Sequence, residues 1–475
     1  MPPRIVACWL VLAFAAPLFA DQPAEILPPG RAAREVLPVS SQSCGSATCH
    51  GNPSPRPIRG SLAGHEFVRW SEFDPHAGAA VTILGKPFQD ILDRMNVGRS
   101  PEEMPALRER CAACHNPEAT AAKGSGDSLT ALGIGCQSCH GDARHWIARH
   151  YERDVTREEL HGLGMLDTKD LHVRAKQCAG CHIGDATHDM NHDMIAAGHP
   201  PLRFELSAYH DLIGKKHWPE AERLREPEFK VKLWAAGQAA AAENTLALLK
   251  SRASRAARHE PVSPWPEFAE YDCFACHQRL RPGGEPNPVP ARAASQPGMP
   301  AWQAWNLSFA ESLRKDSQMV QFRAAMEGPF RDNAAAVHAL FPSEIPAVAP
   351  ANLSLPDLLT LLSRDPAPAV PSWSSTTHRA LALQAAYLAS RDNTPAGESA
   401  ASQAFARRLR AIKISLAFGS KQFEWPAFDW MGLPRPAAVP FSDLPAISAE
   451  LTELASQLQA ESAAPRADTP QPSQP

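Results

Sequence analysis

Hydrophobic positions recur at helical spacing in several stretches of this chain, and no strand-rich segment stands out. The longest such stretch is the alanine-rich run from Phe229 to His259, with Val231, Trp234, Leu246 and Leu249 at helical intervals. It is expected to form one long bracing helix. Ala301 to Met326, Ser375 to Ser390 and Ser402 to Ala417 carry the same periodicity. The pattern predicts a mainly α fold with long irregular connections and a small helical C-terminal domain.

One apolar run has another meaning. Ile5 to Ala16 follows the basic Arg4 and leads through Pro17, Leu18, Phe19 and Ala20 to Asp21, the layout of a secretory signal with a small-residue cleavage point. The run is too short to span a bilayer, and no other segment approaches the roughly 20 apolar residues needed. The mature protein is therefore expected to be exported, periplasmic or equivalent, and not an integral membrane protein. Residues 21–40 are a Pro-rich lead-in, 283–296 a Pro/Gly/Ala-rich linker, 297–462 the helical C-terminal domain and 463–475 a disordered tail.

Composition narrows the classes further. With 47 basic against 51 acidic residues, the chain lacks the basic excess that nucleic-acid binding calls for. Aromatic residues are only 7 %, which leaves a conventional aromatic core thin.

The cysteines supply the chemistry. Cys8 falls in the signal, and the other ten form five pairs, each followed directly by histidine. Four are C-x-x-C-H. They are Cys111 and Cys114 with His115, Cys136 and Cys139 with His140, Cys178 and Cys181 with His182, and Cys273 and Cys276 with His277. The fifth, Cys44-Gly-Ser-Ala-Thr-Cys49-His50, has four intervening residues. C-x-x-C-H is the attachment signature of c-type haem: two thiols on one helical turn add to the two vinyl groups, and the next imidazole lands under the iron. Zinc ribbons, thioredoxin-like sites and structural disulfides do not require a histidine after every second cysteine. The five motifs predict five covalent haems c in a domain spanning 41–282, with fewer than fifty residues per haem. The macrocycles must then supply much of the hydrophobic interior.

Seventeen of the nineteen histidines lie between His50 and His277. Besides the five proximal ligands, the region holds His65, His76, His145, His150, His161, His172, His188, His192, His199, His210, His217 and His259. So many imidazoles among five haem sites favour bis-histidine ligation over methionine ligation by Met95, Met104, Met165, Met190 or Met194. His338 and His378 are expected at the surface.

The order and intervals of these motifs resemble the cytochrome c-554-like multihaem family over roughly residues 40 to 280. The resemblance is carried by the N-terminal motif, Trp70 followed by Asp-Pro-His76-Ala, the Cys111 site, Gly133-Ile134-Gly135-Cys136, and Leu171-His172 before Cys178. It implies His76 for the haem of His140, His150 or else His145 for that of His50, and His172 opposite His182. It also implies an open iron at His115. The chain departs from the four-haem pattern by its Cys273 motif and by the segment Asp189-Met-Asn-His192-Asp-Met-Ile-Ala-Ala-Gly-His199-Pro. One of His192 and His199 is expected to ligate the haem of His277. The other, or His65, could close the haem of His115. On a helix His188, His192 and His199 share one face.

Two functions fit. The first is electron transfer between a redox donor and acceptor, periplasmic or membrane-bound, through closely packed haems. The second is a multihaem oxidoreductase with one open haem acting on a nitrogen oxide or hydroxylamine, with His145, His161 and Asp142 as proton-handling groups. Arg144 and Arg149 are expected at haem propionates.

Overall fold

Alanine lets helices approach closely, and this chain uses it to build a post. In the computed structural model Phe229–Ala257 is a single helix of 29 residues, about 43 Å long at 1.5 Å per residue. The residues described are 40–52, 64–96, 103–118, 133–217, 226–260, 264–271, 302, 305–309, 317–327, 333–342, 353–364, 371–391, 399–416 and 444–463. All lie within the compact unit Pro38–Pro475. The signal segment, most of the lead-in, the linker at 283–296 and the tail beyond 463 lie outside the described residues. So does the last haem motif: Cys273, Cys276 and His277, expected to hold a fifth haem, all fall outside them.

Among the described residues, three hydrophobic cores meet on the long helix, each on its own stripe. Phe229, Leu233, Ala236 and Ala240 pack against Ala175, Ala179, Ile183, Phe204 and Leu206. Ala239, Ala242, Leu246, Leu249 and Ala253 face Trp302, Met319, Phe322 and Val337. Val231, Trp234 and Ala235 enter a core built from the helices Leu355–Ser363, Trp373–Arg391, Ala400–Ser415 and Leu444–Ala463. Spacings of three and four residues on each stripe are what a helix buried on several sides requires. Gly237 serves the same closeness: a Cβ there would fall 2.6 Å from the Leu206 Cβ. That approach justifies a glycine in a helix interior, where it costs about 0.5–1 kcal/mol relative to alanine.

The other helices follow from these contacts. Leu171–His182 and Leu206–His217 flank the long helix on the side of the cysteine motifs. Glu66–Phe73 rests on Leu206–His217, and Lys86–Met95 on His192–Ala197. The chain is mainly α, and among the described residues the one β feature is an isolated bridge between Tyr271 and Trp302. No described helix is long and apolar enough to cross a membrane.

Two expectations need correction. The C-terminal helices do not form a core of their own: they share one with Val231, Trp234 and Ala235, and Trp305 Nε1 donates to the Phe204 carbonyl at 3.0 Å. Glu228, in the left-handed region at φ 57°, accepts from the Leu355 N–H at 2.8 Å and ties the two parts again. His378 is not at the surface either. It is 2 % exposed, its ring edge-on to Trp305 at 4.3 Å, and neither ring nitrogen has a hydrogen-bonding partner. Polar letters misled here: Thr376, Thr377, His378 and Arg379 are all buried because Trp373–Arg391 is packed around nearly its whole circumference.

Burial holds the His378 imidazole neutral, its pKa pushed down from 6.5 to about 3. The unfolded chain takes up this proton first as pH falls, so stability is lost progressively from about pH 6.5 towards pH 3. His378→Leu removes both the unpaired nitrogens and this proton linkage. Chemical denaturation is expected to show the variant about 1 kcal/mol more stable at pH 7, with the gap about 2 kcal/mol wider at pH 5. A variant less stable at both pH values would contradict this account of the buried ring.

Candidate haem sites

Each described motif puts its thiols and imidazole on a tight turn. Cys136–His140 is a five-residue helix, while the Cys111–Cys114 and Cys178–Cys181 motifs, with His115 and His182, close the helices Glu103–His115 and Leu171–His182. The wider first motif begins in the helix Ser41–Cys44 and then folds back. Cys49 N donates to the Ser46 carbonyl and His50 N to the Cys44 carbonyl, so the two extra residues are taken up in a loop.

Other imidazoles stand opposite three of the four described proximal histidines. His50 and His150 have ring centroids 6.2 Å apart, His182 and His76 6.0 Å, and His115 and His199 6.3 Å. Two imidazoles bound on opposite sides of one metal atom at about 2.0 Å have centroids about 6 Å apart, so these separations fit an iron between each pair. The large apolar side chains left exposed fit a macrocycle as well. Tyr151 touches the His150 ring, Phe268 the His192 ring, and Val81 and Leu84 flank Thr82, which contacts His115.

Placement differs from the family-derived expectation in several pairs. His76 stands against His182, not as the partner implied for His140. His172 cannot face His182, because both lie on the continuous helix Leu171–His182, ten positions and about 15 Å apart. Instead His172 Nε2 lies 3.3 Å from Glu243 of the long helix. His150 rather than the exposed His145 is stacked on His50. His199, not His65, faces His115; the His65 ring is turned to the Asn52 carbonyl at 2.7 Å. His192 packs on Phe268, and its N–H donates to Glu267 at 2.8 Å. His161 lies 3.8 Å from Asp167. Arg144 and Arg149 pair with Asp142 and Glu152.

Sequence reasoning missed the groups that hold these rings. Asp74 accepts from both the N–H and the Nδ1 of His76, at 3.0 and 2.9 Å, and Glu66 lies 3.0 Å from His50 Nδ1. Trp70 Nε1 donates to the Ile134 carbonyl and Ile134 N to the His76 carbonyl, clamping the His76 turn to the third motif. Beside it a buried junction joins the first and third motifs. Ser41 Oγ donates to Glu118 at 2.5 Å and receives the Cys136 N–H at 2.6 Å. Gly135 is required there, since a Cβ would lie 2.0 Å from Ser41 Oγ and 2.1 Å from Glu118. Asp-Pro-His76 was legible as part of the family resemblance; the Ser41–Glu118 contact, 77 residues apart, had no local signal.

Electrostatics follow these contacts. Burial alone would hold the His76 ring neutral, but the Asp74 carboxylate overrides it and raises its pKa, while the Glu66 hydrogen bond raises that of His50. Burial and the facing His199 push His115 down to about 4, and burial pushes His182, sandwiched by Phe204 and Tyr209, down to about 3. These two rings are held as neutral imidazoles, the form that ligates iron.

Thiols of different motifs meet. Cys44 hydrogen-bonds Cys136, and Cys114 hydrogen-bonds Cys181, drawing Cys136 and Cys181 down to about 7. Cys114, Cys181 and His188 have ligand atoms within 4.8 Å of one another, a grouping that would suit a metal ion were the thiols not those of haem motifs.

Residues 43–141 match the family model described as cytochrome c554 and c-prime. No curated protein and no solved structure matches the chain. The match covers the first three motifs, whose thiols, imidazoles and clamps suit covalent haem c and its iron. Together these findings show residues 43–141 to be similar to the cytochrome c554-like family of multihaem cytochromes, a likeness that supports haem binding and electron transfer.

Proposed function

We propose that this chain is an exported pentahaem cytochrome that relays electrons between redox proteins along one row of haems. The observation that carries the reading is the order in which attachment thiols meet. Cys44 touches Cys136, Cys139 lies near Cys178, and Cys181 touches Cys114. That sequence of neighbours runs from the His50 motif through those of His140 and His182 to that of His115. Neighbouring attachment points of this kind suit short electron hops. Each bound haem supplies an iron that takes or gives one electron.

The protein's own groups complete the relay. His50 with His150, His182 with His76, and His115 with His199 are the ligand pairs this reading assigns. The fifth haem is assigned to Cys273 and Cys276, with His277 as its proximal ligand and His192 as its distal one. The assignment of His192 is supported by the Phe268 contact and the Glu267 hydrogen bond, which bring it beside the residues that lead into Cys273. The Asp189 carboxylate secures that segment by accepting from Arg252 and Arg255 of the long helix, while Arg252 also donates to Glu270 at 2.7 Å. Export rests on the apolar run Ile5 to Ala16, and the donor and acceptor are expected to be periplasmic or membrane-bound redox proteins.

The oxidoreductase reading needs an open iron at His115, and the His199 ring opposing it speaks for a closed one. Carbon monoxide binds ferrous haem only where the sixth position is vacant or weakly held. The reduced holoprotein is expected to give a carbon monoxide difference spectrum of at most one haem of the five motifs, from the His140 site, to which this reading assigns no facing imidazole, and His199→Ala to gain one haem more. A wild-type signal that His199→Ala does not increase would overturn the closed His115 site and favour the enzyme.

A further inference from the structure

Five of the six ligand imidazoles have a partner for the second nitrogen, and the partners are not alike. His50 Nδ1 meets the Glu66 carboxylate at 3.0 Å, and Glu66 is pinned by the Gly64 N–H at 2.8 Å. His76 Nδ1 meets the Asp74 carboxylate at 2.9 Å. His150 Nδ1 donates to the Ile147 carbonyl at 2.7 Å and His199 Nδ1 to the Pro200 carbonyl at 2.7 Å. His115 Nδ1 meets the Thr82 hydroxyl at 2.8 Å and the Ala79 carbonyl at 3.3 Å. Two of the three pairs therefore carry one carboxylate each. The His115–His199 pair is held by hydroxyl and carbonyl oxygens.

We propose that Glu66 and Asp74 lower the reduction potentials of the haems at His50 and His182, so that electrons entering the row settle towards the haem held by His115 and His199. The inference rests on the ligand pairs assigned above. An imidazole bound to iron through Nε2 keeps its Nδ1–H, and a full negative charge on that hydrogen makes the ring a stronger electron donor than a neutral carbonyl does. The carboxylate also stabilises by its field the extra positive charge of ferric iron. Both effects favour the oxidised state and act in the same direction.

Magnitudes differ with solvent. The Asp74 side chain is 9 % exposed, while that of Glu66 is 37 % exposed and better screened. Asp74 is therefore the stronger depressor. The arrangement leaves the His115 haem the highest in potential of the three paired sites, with the lowest, at His182, beside it, and no change of ligand type is needed. Thr82 is the position at which that bias can be reversed, because it is exposed and its hydroxyl already touches His115 Nδ1.

The test is a spectroscopic redox titration of the full-length holoprotein as wild type, Asp74→Asn, Glu66→Gln and Thr82→Asp, with covalent haem content and the low-spin spectrum measured on the same samples. Asp74→Asn is expected to move one haem's share of the titration to higher potential, and Glu66→Gln to move a different share upward by less. Thr82→Asp, which brings a carboxylate to His115, is expected to move a third share downward. Curves that superimpose on the wild type at unchanged haem content would overturn the tuning and leave the ligand pairs standing. Loss of the low-spin signal in wild-type protein would instead overturn the ligand pairs. Should either carboxylate variant fail to mature, Thr82→Asp alone decides: a downward shift supports the proposal, and an unmoved potential rejects it.

Discussion

Bringing a second imidazole to within about 6 Å of the proximal ones at His50, His182 and His115 is the constraint on which the rest of this structure depends. The covalent motif is local and fixes only one side of a haem. The other side must come from a distant part of the chain, and it does so across long stretches of sequence: His150 to His50, His76 to His182, His199 to His115. Around these pairs the polar groups act as clamps. The Trp70 indole and the Ile134 backbone hold the His76 turn against the third motif, and the Ser41–Glu118 junction holds the first motif against it.

The long helix Phe229–Ala257 makes such spacing tolerable in a chain with little protein per motif. It presents Leu233, Ala236 and Ala240 to the helix that carries Cys178 and Cys181, and other stripes to the C-terminal helices. Small side chains bring those neighbours close, so the motif helices rest on a rigid post. Arg252 and Arg255 extend the same support to Asp189 and the segment that carries His192 and His199.

How much of this the sequence disclosed depends on range. The motifs were legible because two thiols and a histidine on one turn are local chemistry, and the long helix because its apolar positions repeat at helical spacing. Trp373–Arg391 and Ala400–Ser415 were legible for the same reason, to within two residues at each end. The pairing of distal histidines was not, since it is set by how helices pack. His76 and His172 were both assigned by analogy to partners that packing does not give them. The depth of His378 was hidden by polar neighbours on a helix that is buried nearly all round. The partners of Nδ1 were half visible: Asp74 is two residues from His76, but Glu66 is sixteen from His50, and only the fold brings that carboxylate to its ring.

The central claim is that every cysteine pair carries a haem and that the leading apolar segment is removed on export. Intact mass of the protein purified from the periplasm after expression with a c-type maturation system tests both at once. The account predicts the mass of the chain from Asp21 onward plus five haems. Four haems, with the peptide holding Cys273 and Cys276 unmodified, would contradict the fifth site and with it the role given to His192.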